Sequence, residues 1–121
     1  MTNSVKDATA AASARWQSFF NAGDPSGCAS CYEPEAVMVA APFGTYRGRG
    51  EIEAFWTKLI GDGFAEVEYL DSEIQVIDDH SAVLTSKWRM NKAEGVITRE
   101  LWVRQPDGSM RLREDHFEAL G

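Results

Sequence analysis

With 121 residues, 44% of them hydrophobic and 4 Trp, 6 Phe and 3 Tyr among them, the chain can bury one real core but not two. A formal net charge of -7, from 12 basic and 19 acidic side chains, repels nucleic-acid backbones and anionic lipid surfaces, which excludes those partners first. The stretch MTNSVKDATAAASARW is polar and alanine-rich, and no apolar run reaches membrane-spanning length, so the expectation is a cytoplasmic protein with a single domain over residues 1–121.

Val5, Ala8, Ala12, Trp16, Phe19 and Phe20 recur at steps of three and four and predict an amphipathic helix over 4–22, ended by Gly23. Asp24 followed by Pro25 is a good N-cap and first-turn pair, and opens a short second helix reaching about Tyr32. AVMVAA, residues 36–41, reads as a strand, and the turn at 42–44 returns the chain through TYRG as a small hairpin. Ile52, Phe55, Trp56, Leu59 and Ile60 then fall at i, i+3, i+4, i+7 and i+8, a third helix stopped near Gly61 and Gly63. Strands follow at about 65–77, 81–92, 95–105 and 109–119, with turn chemistry at Asp78-Asp79 and Pro106-Asp107-Gly108 that makes neighbours antiparallel. Helices first and strands after predict an α+β domain in which three helices cover one face of a strongly bent sheet.

Cys28 and Cys31 form a C-x-x-C pair. A zinc site would need further ligands, and only His80 and His116 are at hand, so no metal is expected. A thioredoxin-type pair would follow a strand inside a βαβ unit, whereas these cysteines follow a helix and its cap. Three residues apart on a short helix, both thiols share one face and read as small buried apolar groups.

The segment ARWQSFFNAGDPSGCASCYEPEAVMVAAPFGTYRGRGEIEAFW and the ending LWVRQPDGSMRLREDHFEAL together resemble the nuclear-transport-factor-2-like superfamily, in particular its SnoaL-like and ketosteroid-isomerase-like members. The markers are NAGD after the first helix, YEPEAV leading into the first strand, YRGRGEIEAFW leading into the third helix and PDGSM opening the last strand. The resemblance implies a cone: a bent, antiparallel or mixed sheet wrapped around a long N-terminal helix, three helices on the concave face, a pocket at the open end, and dimers through the sheet. The cysteines fall on apolar core positions of that fold.

The same resemblance sorts the candidate site residues. The tyrosine that ketosteroid isomerases carry on helix one falls on Trp16, which can donate a hydrogen bond but cannot act as an acid near neutral pH. Their first-strand aspartate falls on Ala40 or Ala41, so no base remains there, while their neutral acid falls on Glu100. SnoaL-like cyclases are understood to use an aspartate of the final strand, which falls on Asp115, beside His116. Alignment turns Arg113, Asp115 and Phe117 inward and His116 toward the outer face. Strand register decides the polar cluster. A tight turn with Gln105 opposite Ser109 sets Arg99 against Asp115, and a one-residue shift sets Glu100 against Arg113.

Asp115, Glu100 and His116 are thus the candidate catalytic groups. Trp16, Phe20, Tyr32, Met38, Phe55 and Trp56, with Leu59, Trp88, Met90, Trp102, Arg113 and Phe117, are the candidate ligand-binding ones. Each aromatic residue is equally at home in a plain core, and Glu100 and Asp115 in a surface charge ladder. The expected function is a small-molecule-binding cone-pocket protein acting by acid–base chemistry (isomerase, cyclase, hydratase or lyase type) on an apolar or polyketide-like substrate, without metal or organic cofactor. The alternative is a non-catalytic ligand-binding or homo-oligomeric assembly module.

Overall fold

Ser4 opens the first helix by accepting a hydrogen bond from the Asp7 N–H at 3.0 Å, and Asp7 places an acidic group in the first turn, where the helix dipole favours it. In the computed structural model, which describes residues 4–120, this helix, α1, spans Val5–Asn21 and buries the stripe Thr9, Ala12, Ser13, Trp16 and Phe20. The first three residues of the polar N-terminal stretch, and Gly121, lie outside the described residues. Asp24 caps α2 (Pro25–Ser30) through its Oδ1, which accepts from the Gly27 N–H at 2.9 Å. This helix is shorter than expected. Cys31 already caps its C-terminus, and its carbonyl accepts from the Leu112 N–H at 2.8 Å, which hands the chain to the sheet at Tyr32.

The sheet strands are β1 (Tyr32–Ala41), β2 (Gly44–Arg47), β3 (Glu68–Asp78), β4 (Ser81–Arg89), β5 (Glu94–Arg104) and β6 (Met110–Ala119), with α3 (Arg49–Gly61) between β2 and β3. Their spatial order is β2-β1-β6-β5-β4-β3; β1 runs parallel to β6 and every other pair is antiparallel. β1 starts four residues before the apolar run because Tyr32 pairs with Leu112, a contact hidden in sequence by the polar Glu33-Pro34-Glu35. β3 starts later than the expected residue 65. The chain before it is tethered by side chains instead: Val67 N–H donates to Asn21 Oδ1 at 2.7 Å, and Ala65 N–H to Asn91 Oδ1 at 3.0 Å. The α+β arrangement with the bent sheet around α1 is as the sequence implies; α1 packs along β3, β4 and β6, and α3 against β1 and β2. No helix among the described residues is long and apolar enough to cross a membrane.

Two irregularities set the inner face. From Arg104↔Met110 to Trp102↔Leu112 the β5–β6 pairing follows from the tight turn, where Gln105 N–H donates to Ser109 O at 2.7 Å. Arg113 is then the extra residue of a bulge, after which Leu101 opposes Glu114 and Glu100 opposes Asp115. A second bulge at Thr98 returns Ile97 opposite Phe117. Neither register expected from sequence is the one formed beyond the bulge: the turn is as read, but Arg99 meets His116, and Glu100 meets Asp115.

Both cysteines are completely buried and free, as read from their spacing. Burial pushes the Cys28 thiol up to about 12, and Cys31 also upward, so neither offers thiolate near neutral pH. A maleimide reagent at pH 7.5 is therefore expected to label the folded protein no faster than it unfolds, while the protein in denaturant labels at once. Prompt labelling of the native state would count against the packing role.

Candidate functional site

A cavity of about 30 Å³ lies between the helices and the inner face of the sheet. Its wall includes Trp16 from α1, Trp56 from α3, Tyr69 from β3, Trp88 from β4, Ile97 and Glu100 from β5, and Asp115 and Phe117 from β6, with Val67 and Met90 from the flanking loops. Apolar groups dominate. The aromatic rings brace one another: Trp16 meets Trp56 edge to face at 5.0 Å between centroids, Trp56 stacks on Phe117 at 5.8 Å, and Phe117 meets Trp88 at 6.3 Å.

Into this apolar wall the β5–β6 bulge sets two carboxyl groups side by side. Glu100 and Asp115 are cross-strand partners, and both are buried. Glu100 has both oxygens occupied: Trp102 Nε1–H donates to Oε1 at 2.9 Å, and the Tyr69 O–H to Oε2 at 3.0 Å. Asp115 is held on one side only. The Tyr32 O–H donates to its Oδ2 at 2.6 Å, and Trp56 Nε1–H in turn donates to the Tyr32 oxygen at 3.3 Å, a relay that fixes the direction of every proton in it.

Burial, reinforced by the negative charge of Asp115, pushes the Glu100 carboxyl up to about 8. Burial likewise pushes Asp115 up to about 7, against the pull of the Tyr32 hydrogen bond. Tyr32 and Tyr69 are raised well above the usual phenol range, chiefly by burial and then by the carboxylate each faces, so both remain O–H donors at neutral pH. Two adjacent carboxyls whose ionisation falls in the neutral range can hold and release a proton there.

A family description, the SnoaL-like domain, matches residues 14–113. The chain belongs to the SnoaL-like family. No curated protein matches this SnoaL-like chain. Among solved structures, a ketosteroid isomerase-like protein from Erwinia carotovora superposes with a TM-score of 0.79 at 14% identity, covering 92% of each chain. A protein of Novosphingobium aromaticivorans, provisionally named a scytalone dehydratase, gives a TM-score of 0.79 at 15% identity, over 96% of this chain and 84% of that one. A domain of Xanthomonas campestris, provisionally named a calcium/calmodulin-dependent protein kinase II association domain, gives a TM-score of 0.81 at 17% identity, over 93% and 85%. At such identities the likeness is one of fold. Names this diverse on one fold leave the site itself to decide activity.

Of the residues singled out from the sequence of this SnoaL-like chain, the cavity brings together Trp16, Trp56, Trp88, Met90, Glu100, Asp115 and Phe117. Tyr32, Met38, Phe20, Phe55, Leu59 and Trp102 stand behind that wall. Tyr32 and Trp102 hold the carboxyls, with Met38 Sδ 3.7 Å from the Tyr32 oxygen. Phe20 stacks on Trp16, Phe55 meets Trp56 edge to face, and Leu59 packs on the core.

Arg113 does not turn inward as expected. As the bulge residue it projects to solvent, where its guanidinium binds both oxygens of Glu33 at 2.8 and 3.1 Å. His116 points away from the carboxyl pair and lies 4.0 Å from Glu114, which also accepts from Arg99 at 2.9 Å, so the expected charge ladder exists on the outer face without Glu100 or Asp115. Val67, Tyr69 and Ile97 were not singled out. Tyr69 carried a usable signal: a lone tyrosine in a β-strand needs a partner for its hydroxyl when buried, and Glu100 was the unpaired candidate. Among the described residues no group of three or more His, Cys, Asp or Glu is arranged to hold a metal ion.

Proposed function

We propose that this SnoaL-like chain is an acid–base enzyme that needs no cofactor and moves a proton at the carbon beside the carbonyl of a small apolar molecule. The observation that carries the reading is the Glu100–Asp115 pair, set across two strands in the wall of an aromatic cavity. Asp115, whose hydrogen bond lies on Oδ2, takes the proton with Oδ1. The C–H electron pair becomes the carbon–carbon double bond of the enolate, and the Glu100 carboxyl, protonated, donates a hydrogen bond. Return of the proton to another carbon completes an isomerisation, whereas departure of a β-hydroxyl as water completes a dehydration. The dehydratase and isomerase-like names of two structural neighbours agree with either ending.

The test uses 4-methoxyacetophenone in D2O near pH 7, with proton NMR following deuterium entering its acetyl methyl group. Incorporation above the buffer rate is expected. Incorporation at the buffer rate, with the probe bound, would sink the acid–base reading.

A homo-oligomeric assembly role is the second reading, favoured by the small cavity and by Val76 and Ile77, which lie exposed on the edge strand β3 at 48% and 53%. It places a cytoplasmic homodimer on the sheet, and a dimer is the expected result of light scattering coupled to gel filtration. A monomer at tens of micromolar would count against this reading.

A further inference from the structure

The first turn of α3 begins with an arginine, where the positive end of the helix dipole disfavours a cation. Arg49 is half-buried and takes part in none of the ion pairs among the described residues. Its guanidinium is given instead to one backbone atom. Nε–H and Nη2–H both donate to the carbonyl oxygen of Tyr32, at 3.2 and 2.5 Å. Tyr32 is the residue whose hydroxyl holds Asp115.

The strand ladder shows why that carbonyl needs a partner. Tyr32 pairs with Leu112, but the next pairing of β1 with β6 is Val37 with Glu114, so residues 33–36 of β1 stand against Arg113 alone. On its N-terminal side Tyr32 is held by the ladder, where Cys31 O accepts from the Leu112 N–H at 2.8 Å; on the other side the ladder breaks off. The start of α3 pins both ends of the excursion. Gly48 N–H donates to Ala36 O at 2.8 Å, from a backbone at φ +84° that glycine allows, and Arg49 takes the Tyr32 carbonyl. Two helical turns further on, the Trp56 Nε1–H donates to the Tyr32 hydroxyl oxygen at 3.3 Å. One helix thus grips Tyr32 at its backbone and at its hydroxyl.

Resting on the acid–base reading of the site, we propose that Arg49 is a positioning residue, whose fork on the Tyr32 carbonyl sets the Tyr32 hydroxyl against Asp115. That hydroxyl stabilises the ionised carboxylate, so a tyrosine that slides away leaves Asp115 holding its proton to higher pH. Arginine suits the task because its planar guanidinium directs two bonds at one atom and fixes an orientation, whereas an ammonium is a mobile point. The titratable groups facing Asp115 are Tyr32 of β1, Glu100 of β5 and, behind Glu100, Tyr69 of β3. Toward the same cavity α1 and α3 bring Trp16 and Trp56, which do not titrate.

Carbon-13 NMR of the Asp115 carboxyl, assigned with Asp115→Asn, follows its titration in a Glu100→Gln background, where one carboxyl of the pair remains. Arg49→Met keeps the apolar stem and removes the donors, and is expected to raise the midpoint by about half a pH unit or more. With Glu100 intact, the same substitution should slow deuterium transfer to 4-methoxyacetophenone by about threefold at pH 6.5, the rate recovering by about pH 8.5. Adding Arg49→Met to Tyr32→Phe is expected to move the midpoint no further, because the hydroxyl through which Arg49 acts is gone. In wild type, where no variant has to fold, the Arg49 Nε–H is expected to exchange with solvent about tenfold or more slowly than that of the exposed Arg47.

A midpoint that stays or falls in Arg49→Met overturns the proposal, as does an Arg49 Nε–H that exchanges as fast as that of Arg47. So does a further rise in the double variant, which would mean that the arginine acts on Asp115 by its charge and not through Tyr32. The two readings fail separately. A raised midpoint without deuterium transfer keeps the role of Arg49 and removes the acid–base reading, whereas transfer with an unmoved midpoint does the reverse.

Discussion

Asp115→Asn is expected to slow deuterium transfer to 4-methoxyacetophenone by about 10²–10⁴-fold, the usual worth of a positioned general base, with circular dichroism unchanged. Asparagine keeps the shape of the side chain, and its amide oxygen can still accept from the Tyr32 O–H, so the relay from Trp56 through Tyr32 survives. What goes is the basic oxygen. Tyr32→Phe separates holding from catalysis: it leaves Asp115 ionisable but without its 2.6 Å hydrogen bond, so its carboxyl rises further and the pH at which the rate reaches half its maximum rises with it. Asp115→Asn, by contrast, abolishes that pH dependence along with the rate. An Asp115→Asn protein that is folded and exchanges at the wild-type rate would remove Asp115 from the mechanism. An unchanged pH profile in Tyr32→Phe would leave Tyr32 as packing alone.

Much of this geometry was legible in the residues themselves. The apolar steps from Val5 to Phe20 and from Ile52 to Ile60 are long enough to declare helices, and the cap at Asp24 is local chemistry that tertiary structure does not override. The same holds for the turn at 106–108. The carboxyl pair was not legible, because it depends on one extra residue in a ladder. A bulge carries no fixed sequence signature, yet a single one at Arg113 moves the pairing by one position, exchanges Arg99 for Glu100 opposite Asp115 and turns the arginine outward. Parity along β6 suggested Arg113 beside Asp115 in the pocket, and parity is the rule that a bulge suspends. The start of β1 was missed for a different reason. Glu33 and Glu35 look like loop residues, but Glu33 is there to bind Arg113 and Gln105 across the sheet, the latter at 2.9 Å. The chemistry of a single strand could not reveal a partner some eighty residues away.

Buried carboxyls also write themselves into stability. Unfolded, Glu100 and Asp115 ionise near pH 4, as ordinary carboxyls do. Folded, they are raised to about 8 and about 7, so between those limits the folded chain holds more protons than the unfolded one. Their contribution is therefore whole below about pH 4 and is lost as the pH rises through the folded values, the reverse of a salt-bridged aspartate. Carboxyls held low, such as Glu33 by Arg113, act at the acid end and are silent above pH 6. From pH 6 to pH 9 the protein is expected to lose about 4 kcal/mol, or about 15 °C in Tm. Glu100→Gln removes one of the two charges. Its amide oxygen can accept from Trp102, and its NH2 can donate to the Tyr69 oxygen, so the site stays satisfied without ionising. This variant is expected to melt several degrees above wild type at pH 9, and the gap should close toward pH 5, where Glu100 is protonated anyway. A wild-type Tm that is flat from pH 6 to 9, or a Glu100→Gln protein that melts lower at pH 9, would mean that the pair is solvated in the folded state, and with that the physical basis for its proton transfer near neutrality would be gone.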